Sequence, residues 1–252
     1  MKNNVSLPPL KENAHIRVVS LSAPVAADFP ERYTRSLANL REIGFEVSEG
    51  KHACAKHFHM AGTVAQRTDD FLEAWFDDDV DIILSVIGGH STHQILPNIP
   101  FAELAKAPKT LVGYSDTTTL MLALLSQARI PSLCGPALMP QFGEFGGPHP
   151  YTKSEFLAAL DSTLSTRTIE STPDIIEERL RWGKEDTRSR NPAVARGRRC
   201  WRPGTATGEI VVANMGCLLL LAGTRYMPDL SGSILVIEDD DSETPESIDR
   251  YF

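Results

Sequence analysis

"KTLVGYSDTTTLMLALLSQARIPSLCGPAL", residues 109–138, decides the fold. Residues 109–115 form a short apolar run that ends on a serine. Residues 116–129 have helical composition, and residues 130–138 return to an extended, apolar, proline-bounded pattern. A strand regained after one helix reads as a parallel βαβ unit. The upstream sequence repeats the alternation. "IRVVSLSAP" (16–24) reads as a buried strand, and "PERYTRSLANLREIG" (30–44) as a helix with Pro30 in its first turn and Gly44 at its end. "FEV" (45–47) is a second strand. "TVAQRTDDFLEAWFDD" (63–78) is a helix with Phe71, Leu72, Trp75 and Phe76 toward the core. "VDIILSVIGG" (80–89) is a third strand. The prediction is an α/β protein whose N-terminal domain, residues 1–168, is a doubly wound parallel sheet. Ligands collect outside the carboxyl ends of such strands, where the glycine pair 88–89 and Ser115 both fall.

Past residue 150 the pattern changes. Residues 151–165 read as a helix. Residues 174–208 are polar, rich in Arg, Gly and Pro, and lack a sustained period, which marks a long surface excursion. "EIVVANMGCLLLLAGT" (209–224) reads as a strand, a turn and a short buried helix. "GSILVIEDDDSE" (232–243) is a strand that runs into acid. Residues 169–252 are assigned to a smaller, β-rich and incomplete C-terminal domain.

Composition narrows the function. With 42% hydrophobic and 23% charged residues among 252, the chain can bury a core. A net charge of −8 argues against a nucleic-acid partner. The cysteines at 54, 134, 200 and 217 are far apart, so neither a zinc site nor a disulfide framework is expected. The start shows no secretory pattern and no run is long enough to span a membrane, so the expected location is the cytoplasm.

A serine where a strand gives way to a helix has two readings. It can N-cap the helix, or the turn can present its Oγ as a nucleophile. In the second case the Asp116 N–H, which opens the helix, is an oxyanion donor. A second donor must come from backbone free of side chains, and Gly89 of the pair 88–89 is preferred. A nucleophilic serine needs a base, and the base an orienter. Glu238 is the first polar residue after the apolar run 234–237, placed to meet an imidazole; the alternative is a solvated acidic turn over 238–241.

"SVIGGHSTHQILP", "LVGYSDTTTL", "GPAL", "ANMGCLLLLAGTRYMPDLSGSILVIEDDD" and "TPESIDRYF" occur in order, within a similarity that runs from about residue 12 to the last residue. Together they resemble the LD-carboxypeptidase family of serine peptidases, and within it the microcin-immunity branch. The resemblance implies Ser115 as nucleophile and Glu238 as the triad carboxylate. It implies oxyanion donors at Asp116 and at a glycine of 88–89, and a substrate-binding role for Gly88 and Asn214. It also implies a homodimer that needs no metal or cofactor and acts on a small peptide or peptidyl-nucleotide. Classical members cut the terminal D-alanine from murein tetrapeptides in cell-wall recycling. The immunity branch cuts an amide joining an aspartyl group to a modified nucleotide, and carries aromatic residues on a long loop. Trp182 and Trp201 lie in the 174–208 excursion and either stack on a base or pack against the protein.

Two departures stand out. "VANM" (212–215) keeps Asn214 but has Val212 and Ala213 where family members carry glycines. The family's triad histidine follows the glutamate, whereas the histidines here, at 15, 52, 57, 59, 90, 93 and 149, all precede Glu238. The expectation is a C-terminally truncated chain, with a catalytically inactive binding protein as one alternative and His90 as a substitute base as another.

Overall fold

The computed structural model describes residues 7, 9, 11, 13–161, 166–239 and 243–251. In chain order it contains β1 His15–Val19, α1 Val25–Asp28, α2 Pro30–Ile43, β2 Glu46–Glu49, α3 Val64–Phe76, β3 Ile82–Ser85, α4 Phe101–Leu104, β4 Thr110–Gly113, α5 Thr118–Ala128, β5 Leu133–Cys134 and α6 Pro150–Leu160. There follow β6 Asp174–Ile175, β7 Ala193–Val194, β8 Ile210–Asn214, α7 Met215–Leu220, β9 Ile234–Glu238 and α8 Pro245–Tyr251.

The first five strands form one parallel sheet in the order β2-β1-β3-β4-β5. The chain leaves β1 toward β2 on one side and toward β3 on the other, so the switch point lies between β1 and β3, where a crevice opens. Alternate strand residues feed two cores, as period-2 geometry requires. Val19, Ile83 and Leu111 join Phe71, Trp75 and Leu120 on one face. Ile16, Val18, Ile82, Leu84 and Val112 join Tyr33, Leu37, Leu40 and Phe142 on the other.

Local signals account for the helix ends. Pro30 occupies the first turn of α2, and Gly44 closes it at φ +117°. Thr63 and Gln66 form a capping box at the start of α3. Three expectations change. Phe76 is 47% exposed rather than facing the core, because a helical step of about 100° carries it past the stripe of Phe71 and Trp75. The second strand lies at Glu46–Glu49. The fifth is only two residues long, since Pro131, Gly135 and Pro136 bracket it and prolines cannot donate to the ladder.

In the C-terminal part, β8 and β9 pair in parallel, from Ile210 opposite Ile234 to Asn214 opposite Glu238. Val211, Ala213 and Leu218 belong to the same core as Leu120 and Ala123 of α5, so β8 is seated on that helix. Between α6 and β8 the excursion contains one short antiparallel pair, β6 with β7. Residues 162–165, at the end of the expected helix, and 240–242, in the acidic turn, lie outside the described residues.

Candidate active site

Gly113 ends β4 where a side chain has no room: a Cβ there would lie 2.9 Å from Ser85 Cβ and 3.0 Å from Thr117 Cγ2. Tyr114 is extended, and Ser115 then takes φ +57° before the turn into α5. A serine in the left-handed region costs of order 1 kcal/mol and persists only where its surroundings hold it. The capping reading does not hold, because the positions before the turn and before α5 are Tyr114 and Thr117. Ser115 instead has its carbonyl held by Thr118, whose Oγ1 donates to it at 2.7 Å.

The glycine pair at the end of β3 lies against this turn. A Cβ on Gly88 would stand 2.8 Å from Ser115 Oγ and 3.3 Å from the Asp116 nitrogen. Gly89 has φ +149°, and a Cβ there would come within 2.4 Å of Ser22 Oγ. Only glycine lets the 88–89 backbone pass this close to both serines. The half-buried Ser115, the Asp116 N–H and the glycine backbone are thus brought together.

The side chain of Asp116 does something the sequence did not disclose. It is 4% exposed, and its Oδ2 accepts from Ser22 Oγ at 2.6 Å, the Ser91 N–H at 2.9 Å, the Thr92 N–H at 2.8 Å and Thr92 Oγ1 at 2.8 Å. Behind the same loop, buried Arg67 donates from Nη1 to the carbonyls of Leu21 at 2.8 Å and Ser91 at 2.9 Å, and from Nη2 to Gln94 Oε1 at 2.6 Å. Desolvation draws the Arg67 pKa down and the Asp116 charge opposes it. Neither residue stands in a motif that points to this contact. The nearest available signal is a polar residue, Arg67, on the apolar face of an amphipathic helix.

The second part of the site comes from β8 and β9. Glu238 and Asn214 are register partners. The Asn214 N–H donates to Thr118 Oγ1 at 3.2 Å, and its Oδ1 caps α7 by accepting from the Cys217 N–H at 3.2 Å. Cys217 Sγ lies 3.7 Å from the Ser115 carbonyl oxygen and 3.8 Å from Asp116 Oδ1. Glu238 lines a cavity of about 570 Å³, together with Tyr114, Cys134, Gln141, Tyr151 and Val212. Cys134 is exposed as a residue, yet desolvation of its thiol and then the Glu238 charge push its pKa to about 11. Desolvation and Glu238 also raise Tyr114, although its hydrogen bond with Gln141 works the other way. Val212, where the family resemblance implies a glycine, is among the residues that line the cavity Glu238 faces.

The two tryptophans part company. Trp182 packs edge-on against Phe29 at 5.8 Å, with the Arg32 guanidinium 4.1 Å over its ring. Trp201 is 86% exposed. Asp186, three residues past Gly183, lies between Arg32 at 2.8 Å and Arg35 at 2.5 Å, which ties this part of the excursion to α2. His90 is exposed beside Gly89. His15 sits at the opposite end of β1, held by the Asp79 carbonyl and Ser48. Among the described residues no cluster of three or more His, Cys, Asp or Glu side chains has the geometry to hold a metal, and no helix is long and apolar enough to cross a membrane.

Comparison with known proteins relates the chain to a family. The model of the LD-carboxypeptidase N-terminal domain matches residues 16–135, and that of the C-terminal domain matches 207–252. A Vibrio cholerae protein provisionally named a carboxypeptidase is 30% identical over 92% of this chain and 69% of its own length. The microcin C7 self-immunity protein MccF of Escherichia coli is 28% identical over 97% of this chain and 71% of its own. A solved structure of MccF with aspartyl sulfamoyl adenosine superposes with a TM-score of 0.87 at 27% identity, covering 97% of this chain and 73% of that one. A muramoyltetrapeptide carboxypeptidase from Oxalobacter formigenes superposes at 0.70 with 25% identity, over 94% and 69%.

Proposed function

The chain belongs to the LD-carboxypeptidase family of peptidases, and from that premise we propose that it hydrolyses an amide through an acyl-enzyme on Ser115. The observation that carries this reading is the φ of +57° at Ser115 with Gly88 packed against its Oγ. Such a turn has a strain cost that a merely structural serine gives no reason to keep.

In the proposed reaction Ser115 Oγ attacks the substrate carbonyl and its proton passes to a base. The developing oxyanion takes hydrogen bonds from the Asp116 and Gly89 N–H groups. The base then protonates the departing amine, and water cleaves the ester by the same route in reverse. Glu238 orients the base, which the family resemblance makes a histidine. All seven histidines of these 252 residues precede Glu238. Where no base stands beside the serine, oxyanion donors and binding alone leave roughly 10³-fold over water, so residues 1–252 assayed by themselves should turn over slowly if the base is a histidine that follows Glu238. A side-by-side assay with a version carrying the extra C-terminal length of its relatives tests this. Equal rates would move the base inside residues 1–252, with His90 the first to replace.

The preferred substrate is a peptidyl-nucleotide amide of the kind seen in the MccF complexes, since the TM-score of 0.87 against MccF exceeds the 0.70 against the murein enzyme. The second reading, a murein tetrapeptide, rests on the likeness to the muramoyltetrapeptide carboxypeptidase of Oxalobacter formigenes. Parallel assays on aspartyl sulfamoyl adenosine and a murein tetrapeptide separate the two. Binding of either without cleavage would support a non-catalytic binding protein.

A further inference from the structure

We infer that the Asp116 side chain is a positioning residue for the oxyanion site: the residue that offers one donor N–H also fixes the loop that offers the other. The inference deepens the serine-hydrolase reading and rests on it for the meaning of the loop. Four donors from two separate segments converge on one buried carboxylate oxygen: Ser22 Oγ from the end of β1, and the Ser91 N–H, Thr92 N–H and Thr92 Oγ1 from the segment after β3. The Ser91 N–H is shared with Ser22 Oγ at 3.0 Å, and the same Oγ is the atom a Cβ on Gly89 would strike.

Gly89 is thereby enclosed. The Gly88 carbonyl is tied to the Ala23 N–H at 3.2 Å on one side, and Ser91 and Thr92 are tied to Asp116 on the other. Arg67 holds the far side of the loop through the Leu21 and Ser91 carbonyls. A glycine pair left to itself samples many backbone states. Donors stabilise a developing charge best when they are already aimed before reaction, because no reorganisation is then needed. The short path from carboxylate to loop to Gly89 N–H supplies that aim, and Asp116 starts the α5 turn from the same peptide. Moving this carboxylate shifts both donors relative to Ser115 Oγ.

The test measures labelling of Ser115 by an alkyl fluorophosphonate, in which the Oγ–P bond forms as the P–F and Oγ–H bonds break, fluoride leaves, the proton passes to solvent or to a base, and the phosphoryl oxygen takes the oxyanion position. Wild type, Asp116→Asn, Asp116→Ala, Thr92→Val and Ser22→Ala are compared, with melting temperatures and site-resolved amide exchange. Loss of one oxyanion donor costs about 10²–10³-fold in known hydrolases, so Asp116→Ala is expected to label at least about 100-fold more slowly. Asp116→Asn keeps the shape and one oxygen acceptor and should recover part of that rate. Thr92→Val and Ser22→Ala each remove one of the four bonds and should cost only a few-fold, without a matching fall in melting temperature. Labelling of folded Asp116→Ala within about threefold of wild type overturns the inference. Amide exchange decides the loop-holding part on its own. Faster exchange at residues 89–92 in Asp116→Asn or Asp116→Ala, with the sheet unchanged, supports it; unchanged exchange there overturns it whether or not Ser115 reacts. A wild-type Ser115 left unlabelled both in this chain and in the version carrying the extra C-terminal length of its relatives, together with faster loop exchange in the Asp116 variants, would sink the nucleophile assignment and leave the loop-holding role of Asp116 standing.

Discussion

At Ser115 the backbone and the side chain make separable predictions. Ser115→Ala should abolish turnover with the fold intact, because the lost atom is small and sits at a turn. Ser115→Gly should be equally inactive but more stable than the alanine variant by about 1 kcal/mol, since glycine meets φ +57° without a Cβ penalty. Denaturant melts of the two variants give the comparison, and equal stabilities would mean the turn is unstrained. The Glu238 charge can be read at Cys134. The thiol's ordinary value is 9.0, and in the folded chain it rises to about 11. The folded state thus holds the thiol proton more tightly than the unfolded chain does. That contribution to stability is full below pH 9.0 and is lost as pH rises through about 11. Glu238→Gln removes the second cause of the rise, so Cys134 should alkylate faster at pH 9–10, followed by mass spectrometry. An unchanged rate would place the charge elsewhere.

At the scale of elements, the βαβ units were readable because their signals are local. The apolar strand runs, the proline and glycine that bound α2, and the helical spacing of α3 sit within a dozen residues of each other. β5 was over-read because an apolar run resembles a strand until its prolines and glycine are counted against the ladder. The placement of Ser115, Gly88 and Glu238 at or just past strand ends was readable from the apolar runs before them, while their chemical roles rest on the family resemblance and remain part of the proposal. The Asp116 clamp was not, since Ser22 lies 94 positions away in the chain and only the fold brings it in. The anchoring of the excursion was equally hidden: nothing in "RWGKEDTRSR" (181–190) names α2 as its partner. Asp186 is 5% exposed at its side chain, and Arg32 is 3% exposed at its own. Asp186→Ala should therefore cost about 3 kcal/mol, the usual penalty for stranding a buried charge. It should also open residues 176–205 to limited proteolysis. The Arg32 Nη2 also pairs with Glu144 Oε1, and a variant as stable and as protease-resistant as wild type would show that this second carboxylate satisfies Arg32 alone.

Across the whole molecule, the proposed function makes the excursion and the cavity the places to test for substrate choice. If Trp201, open to solvent, stacks on a nucleobase, Trp201→Ala weakens aspartyl sulfamoyl adenosine by about 1–3 kcal/mol and leaves a murein tetrapeptide little changed. Trp182, held by Phe29 and Arg32, should instead lose stability on replacement, with both ligands affected alike. Equal losses for both substrates in Trp201→Ala would remove it from recognition. The docking of β8 onto α5 has a further consequence. Asn214 and Cys217 reach the Ser115 turn through one hydrogen bond to Thr118 and two sulfur contacts, and Val211, Ala213 and Leu218 join only one of the two cores of the five-stranded sheet. Heating should therefore undock β8 and β9 before the sheet melts. The protein would then lose Glu238 from the site while Ser115 still sat on a folded scaffold. Calorimetry would record two endotherms, and any catalytic activity would vanish at the lower one and return on cooling.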